Sequence, residues 1–177
     1  MSTAANPSPT VRTLVLLRHG KSAYPPGVGD HERPLAPRGR RQAGLAGRWI
    51  AANLAPIDHV ICSTAERTRQ TLDASGLATP TALVDFTDQV YGADAEDLVA
   101  LIAAADAGDR MLLVVGHAPG LPDLADELAG KGSDPSALSA MRAKYPTSGV
   151  AVLELDGDWA DIAAAPTRLI DFVVARS

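Results

Sequence analysis

The sequence is short of several things, and each shortage excludes something. Cysteine occurs once, at Cys62, in 177 residues. A single thiol builds neither an internal disulfide nor a cysteine-rich metal site. Long hydrophobic runs are missing. Leu14–Leu17 and Met111–Val115 are strand-length, far below the ~18 residues of a membrane span, so no membrane partner is expected. The first ten residues lack the charged-then-apolar order of a secretory leader. Being Ser, Thr, Pro, Ala and Asn, they read as a flexible tail over 1–10, and a cytoplasmic location is expected. Positive charge is also short: 16 basic against 21 acidic residues give a net charge of −5. Nucleic-acid-binding domains are usually basic, so no nucleic-acid partner is expected. Lysine is confined to Lys21, Lys131 and Lys144; every other basic residue is arginine, whose planar fork matches phosphate and carboxylate.

What is present suits one globular domain, placed at 11–177. The chain is 46% hydrophobic, ample for a core, and of single-domain length. Arg12–Leu17 reads as a buried strand that stops at Arg18-His19-Gly20. Residues 21–36, rich in Pro and Gly, read as a loop. Pro37–Asn53 reads as a helix, with Pro37 suited to its first position and Leu45, Trp49 and Ile50 at helical spacing. A short strand His59–Cys62 follows, then a helix Ala65–Leu77 capped by Ser63 or Thr64. Ala82–Val84 is a weak strand. Asp94–Ala105 is an amphipathic helix with Leu98, Leu101 and Ile102 inward. Met111–Val115 is a strongly apolar strand ending at Gly116-His117, and Pro119–Ala129 is a helix. Residues 131–147 read as a loose connection. Val150–Leu155, a turn at 156–158 and Trp159–Ala164 suggest a hairpin; Leu169–Ala175 reads as a last strand or a helix. Strands alternating with helices predict an α/β fold: a three-layer αβα sandwich around a mostly parallel sheet, with an antiparallel edge.

Ligands of open α/β sheets bind beyond the carboxyl ends of the strands. Arg18, His19 and Gly20 follow the first strand, Ser63 and Arg67 the second, and His117 the Met111–Val115 strand. Two guanidinium forks there would hold a phosphoryl group and neutralise its oxygens during transfer. A neutral imidazole is a nucleophile for phosphorus while its other nitrogen is held. Neighbouring cations keep it neutral. Helix starts after Ser63 and His117 add N–H groups that favour an anion.

These residues also carry a resemblance. Leu14-Val15-Leu16-Leu17-Arg18-His19-Gly20 resembles the signature of the histidine phosphatase (phosphoglycerate-mutase-like) superfamily. Ser63 to Thr71, Ser-Thr-Ala-Glu-Arg-Thr-Arg-Gln-Thr, resembles its second motif, and Val114-Val115-Gly116-His117-Ala118-Pro119-Gly120 its third. Lys21-Ser22 and the run from Asp30 to Gly39 look like the short SixA-type phosphohistidine phosphatases. The resemblance implies a phosphoglycerate-mutase-like fold and no cofactor or metal. It implies that His19 takes the phosphoryl group, that Arg18 and Arg67 clamp it, and that His117 bonds a phosphoryl oxygen. Ser22 and the backbone of Ala118 are further candidates for phosphate contacts. Two departures stand out. Ala65 occupies a position where many relatives have proline. The segment Val90 to Asp94, where many members carry an acidic proton donor, has no clear match, and Asp94 itself reads as a helix cap.

The implied activity is a metal-independent phosphatase working through a phosphohistidine on His19, with a protein phosphohistidine as substrate. A small phosphorylated metabolite is the alternative substrate, and a non-catalytic phosphate-binding module the alternative class. Elsewhere, Asp30 and Arg33 are expected to pair, His31 and His59 to hold no metal, and Cys62, Trp49 and Trp159 to pack. Thr147-Ser148-Gly149 reads as a turn.

Overall fold

The structure is a computed structural model that describes residues 10–176; the expected tail, apart from Thr10, lies outside the described residues. The elements are β1 (Val11–Arg18), α1 (Pro37–Asn53), β2 (His59–Ser63), α2 (Glu66–Ser75), β3 (Leu83–Thr87), α3 (Ala95–Ala103), β4 (Met111–Gly116), α4 (Gly120–Leu128), α5 (Pro135–Ala143), β5 (Gly149–Asp156) and β6 (Thr167–Val174). They form one six-stranded sheet in the order β3-β2-β4-β1-β5-β6. The first four strands are mutually parallel, and β5 and β6 add antiparallel pairings at one side. This is the predicted α/β sandwich.

The pleat of the central strands divides the core. Leu14 and Leu16 of β1 pack with residues of α3, α4 and α5 on one face, while Val15 and Leu17 pack with α1 and α2 on the other. All four side chains are buried. A strand apolar on both faces is what a sheet covered by helices on both sides requires.

Four local expectations need correction. The partner of β5 is β6, not residues 159–164. The latter begin as a 3₁₀ turn, Trp159–Asp161, because Trp159 is wholly buried and its indole N–H donates to the Asp109 carbonyl at 2.8 Å. Residues 131–147 contain α5, which Pro135 starts and the Asp134 carboxylate caps by accepting from the Ser136 and Ala137 N–H groups. In α2 the cap position is Ala65, with no side-chain cap. The Ser63 hydroxyl accepts from the Ala65 N–H at 3.2 Å and serves the site as well. In α1 the inward stripe is Ala43, Ala46, Gly47 and Ile50, with Leu45 and Trp49 only half-buried. The reason is the closeness of α2: a Cβ on Gly47 would lie 2.0 Å from the Ser75 carbonyl oxygen. No helix among the described residues is long and apolar enough to cross a membrane.

Candidate active site

Strand register brings the chemistry together. Arg18 of β1 lies opposite Gly116 of β4, and Val115 of β4 opposite Cys62 of β2. The three carboxyl ends are therefore level, and His19, Ser63 and His117 emerge side by side. The His19 N–H donates to the Gly116 carbonyl at 3.0 Å, fixing the chain as it leaves the sheet.

His19 is 8% exposed. Its Nδ1 lies 2.7 Å from the Gly20 carbonyl. A carbonyl only accepts, so Nδ1 carries the hydrogen and Nε2 keeps its lone pair. Burial, aided by the charges of Arg67, Arg18 and Arg33, outweighs the Gly20 hydrogen bond and lowers the imidazole pKa to about 4. At neutral pH this is an oriented, uncharged nucleophile.

His117 faces it with ring centroids 5.2 Å apart and planes tilted by 56°. Its Nε2 lies 2.8 Å from the Ser63 hydroxyl. With Ser63 already accepting from Ala65, the hydroxyl hydrogen is free to point at Nε2. The hydrogen of His117 then resides on Nδ1, which has no partner among the described residues. Burial, the His19 ring and Arg67 lower this pKa to about 3. The second ring is thus a neutral donor awaiting an acceptor.

The two arginines are tethered on one side each. The Arg18 Nη1 donates to the Tyr145 carbonyl at 2.7 Å, while its buried Nε has no partner among the described residues. Arg67, on the first turn of α2, donates through Nη1 to the Asp30 carbonyl at 2.6 Å and through Nη2 to Asp30 Oδ2 at 3.1 Å. Such tethers fix a guanidinium in direction and leave other N–H groups for an oxyanion. Gly20 permits the tight loop beside them. A Cβ there would lie 2.7 Å from the Gly39 carbonyl, and its N–H donates to Thr71 Oγ1 at 2.9 Å.

Asp30 is the hub that sequence reasoning missed. It pairs with Arg33 at 2.9 Å as expected, but it also takes Arg67 and the Tyr91 hydroxyl, the latter at 2.6 Å. The donors Tyr91, Arg33 and Arg67 hold its carboxyl well below the usual carboxylate range. The Tyr91 ring stands edge-on to both His117, 5.5 Å away, and His31, 4.9 Å away. The segment from Val90 to Asp94 thus supplies a phenol where an acid was sought. Ser148 lies in the turn expected there. Its N–H donates to both the Arg18 and His19 carbonyls at 3.1 Å, in a left-handed conformation with φ 59°.

The other candidates separate clearly. Ser22 is buried with its hydroxyl accepting from Arg33. Ala118 is exposed directly after His117. Asp94 lies at the start of α3, where it and Asp97 form a reciprocal capping box. Cys62 is buried, and burial pushes its thiol up to about 12. His59 bridges Asp85 at 2.8 Å and Asp109 at 3.0 Å. Among the described residues no group of three His, Cys, Asp or Glu is placed to hold a metal ion.

Known proteins resemble this one in sequence and fold. Residues 14–90 match the model of the histidine phosphatase superfamily (branch 1). An uncharacterised protein of Mycobacterium tuberculosis is 45% identical over 161 residues, covering 90% of this chain and 100% of the relative. A protein from Nakamurella multipartitia designated phosphohistidine phosphatase SixA superposes with a TM-score of 0.85 at 40% identity, covering 94% of this chain and 98% of that one. Its counterpart from Agrobacterium tumefaciens gives 0.76 at 31% identity, with 92% and 97% covered.

Proposed function

The chain belongs to the histidine phosphatase superfamily and is a phosphatase; from that premise we propose that it removes phosphoryl groups from phosphohistidine on proteins, through a covalent intermediate on His19. One observation carries the mechanism: the His19 ring is neutral, held at Nδ1 and bare at Nε2, beside two tethered arginines and a second neutral imidazole. The Nε2 lone pair forms a bond to phosphorus as the substrate's P–N bond breaks. The departing electron pair stays with the substrate imidazole, which leaves neutral if its other nitrogen carries a proton. That leaving group makes a dedicated carboxylic acid dispensable, in keeping with Asp94 serving as a cap. Water then attacks phosphorus, the His19 N–P bond breaks, and orthophosphate departs with the proton balance met by solvent. Arg18, Arg67 and the His117 Nδ1–H offset the charge on the non-bridging oxygens. In this reading Ser22 and the Ala118 backbone are further contacts for the phosphoryl group.

Hydrolysis of an aryl phosphate with a chelator present tests the phosphatase step. Wild-type protein should be active and His19→Ala nearly inactive, while an acid-labile, alkali-stable label should be trapped on the wild type only. Activity abolished by the chelator, or retained by the variant, overturns the mechanism. A substrate panel containing a phosphohistidine protein and a sugar phosphate tests the substrate class.

A further inference from the structure

One face of the molecule is strongly basic although the chain is acidic overall. Arg38, Arg40, Arg41 and Arg48 of α1 and Arg176 near the carboxyl end line a groove of about 740 Å³. The α1 arginines are exposed. Among the described residues, the arginines that form ion pairs lie elsewhere, at Arg12, Arg33, Arg67, Arg142 and Arg168. Among the described residues no acidic one lines the groove. Its wall is opened by Gly44, where a Cβ would stand 3.4 Å from the Ala74 carbonyl of α2.

Position gives this patch meaning. Arg38 is next to Gly39, whose backbone is packed so tightly on Lys21 that a Cβ would lie 2.1 Å from the Lys21 carbonyl. Lys21 is two residues from His19. The patch therefore starts beside the catalytic loop, and Arg38 to Arg48 carry it ~15 Å along the helix. That length matches roughly four or five residues of extended chain. Like charges left unpaired in one groove repel each other, and an anionic partner relieves that repulsion.

We propose that this groove docks an acidic stretch of the protein substrate, beside the phosphorylated side chain that enters the His19 site. The inference rests on the protein-phosphohistidine reading above. An acidic polypeptide is favoured over a nucleic acid because the remaining surface of a chain with net charge −5 repels a long uniform polyanion. A short acidic segment meets only the groove.

The test uses a fluorescein-labelled Glu-rich peptide and the full-length protein. Anisotropy should show binding that weakens by about tenfold or more from low to high salt, as screening of exposed charges requires. The double variant Arg41→Gln/Arg48→Gln should weaken it by a similar factor, whereas Arg110→Gln, an exposed arginine outside the groove, should not. Aryl-phosphate hydrolysis should be the same in all three proteins. Absent peptide binding, binding indifferent to the double variant, or tighter binding of single-stranded DNA than of the peptide each overturns the proposal. Loss of aryl-phosphate hydrolysis in the wild type would instead overturn the phosphatase mechanism.

Discussion

A histidine inside this site behaves unlike one in water. The pKa of His19 is lowered to about 4, first by burial and then by the guanidinium charges of Arg67 and Arg18. As the proposed nucleophile, a protonated His19 ring cannot attack phosphorus, so on this mechanism activity requires pH above that value. The acid limb of kcat/KM, after correction for substrate ionisation, should therefore fall near pH 4 rather than near 6.5. A limb at 6.5 would show a freely titrating imidazole. Asp30 argues for a second experiment at this scale. It ties Arg67, Arg33 and Tyr91 together, and a charge-assisted hydrogen bond is worth ~1.5–3 kcal/mol. Asp30→Asn should lower kcat/KM by roughly tenfold through loss of Arg67 orientation, with Tyr91→Phe milder because it keeps the ring against His117. Steady-state kinetics on both variants checks this, and unchanged values for Asp30→Asn would reduce the hub to a surface ion pair. That Arg18, His19, Arg67 and His117 meet at one end of the sheet was legible because each ends a strand, directly follows one or lies in the first turn of a helix. Asp30 and Tyr91 were not, since 61 positions separate them and nothing local marks their contact.

Helices and strands here are legible where periodicity and caps agree. The α3 start at Asp94 and the strands β1 and β4 are of this kind. The reading failed where tertiary packing overrode local pattern. Trp159 reads as strand by composition but is drawn into the core beside α3. α1 turns its small residues inward because α2 crosses it at backbone distance. Two glycines of α1 separate packing from function. Gly47 faces the Ser75 carbonyl of α2, and Gly39 faces Lys21 of the loop that carries His19. Alanine at either meets backbone that cannot rotate away, and overpacking of this severity costs about 3 kcal/mol. At this chain length that lowers Tm by about 10 °C. Gly47→Ala should show only the stability loss, its folded fraction keeping full kcat. Gly39→Ala should lose kcat as well, because the Lys21 backbone must shift and takes His19 with it. Thermal unfolding combined with activity per folded molecule distinguishes the two. Equal kcat in both variants would uncouple α1 from the loop.

The whole molecule sets what can reach the site. The fold class was legible in full, because alternating strand and helix patterns leave few topologies. The strand order β3-β2-β4-β1-β5-β6 follows from no local signal. At the carboxyl ends of the central strands the connections are brief: residues 64–65 between β2 and α2, and 117–119 between β4 and α4. Only the loop at 19–36 is long, and it is tied down by the Ser22–Leu35 bridge and by Arg33 on the Ala23 carbonyl. No inserted segment among the described residues closes over His19. On the proposed mechanism a small phosphate ester meets the clamp alone, whereas a phosphoprotein would also contact the rim. Binding energy from such remote contacts raises kcat/KM when it is realised in the transition state, and each ~1.4 kcal/mol is tenfold. Two rim contacts of that kind would give a phosphohistidine protein about a hundredfold advantage in kcat/KM over a sugar phosphate. Competition between the two in one assay measures the ratio directly. A sugar phosphate that matches or exceeds the protein would place specificity inside the clamp and make the enzyme a metabolite phosphatase.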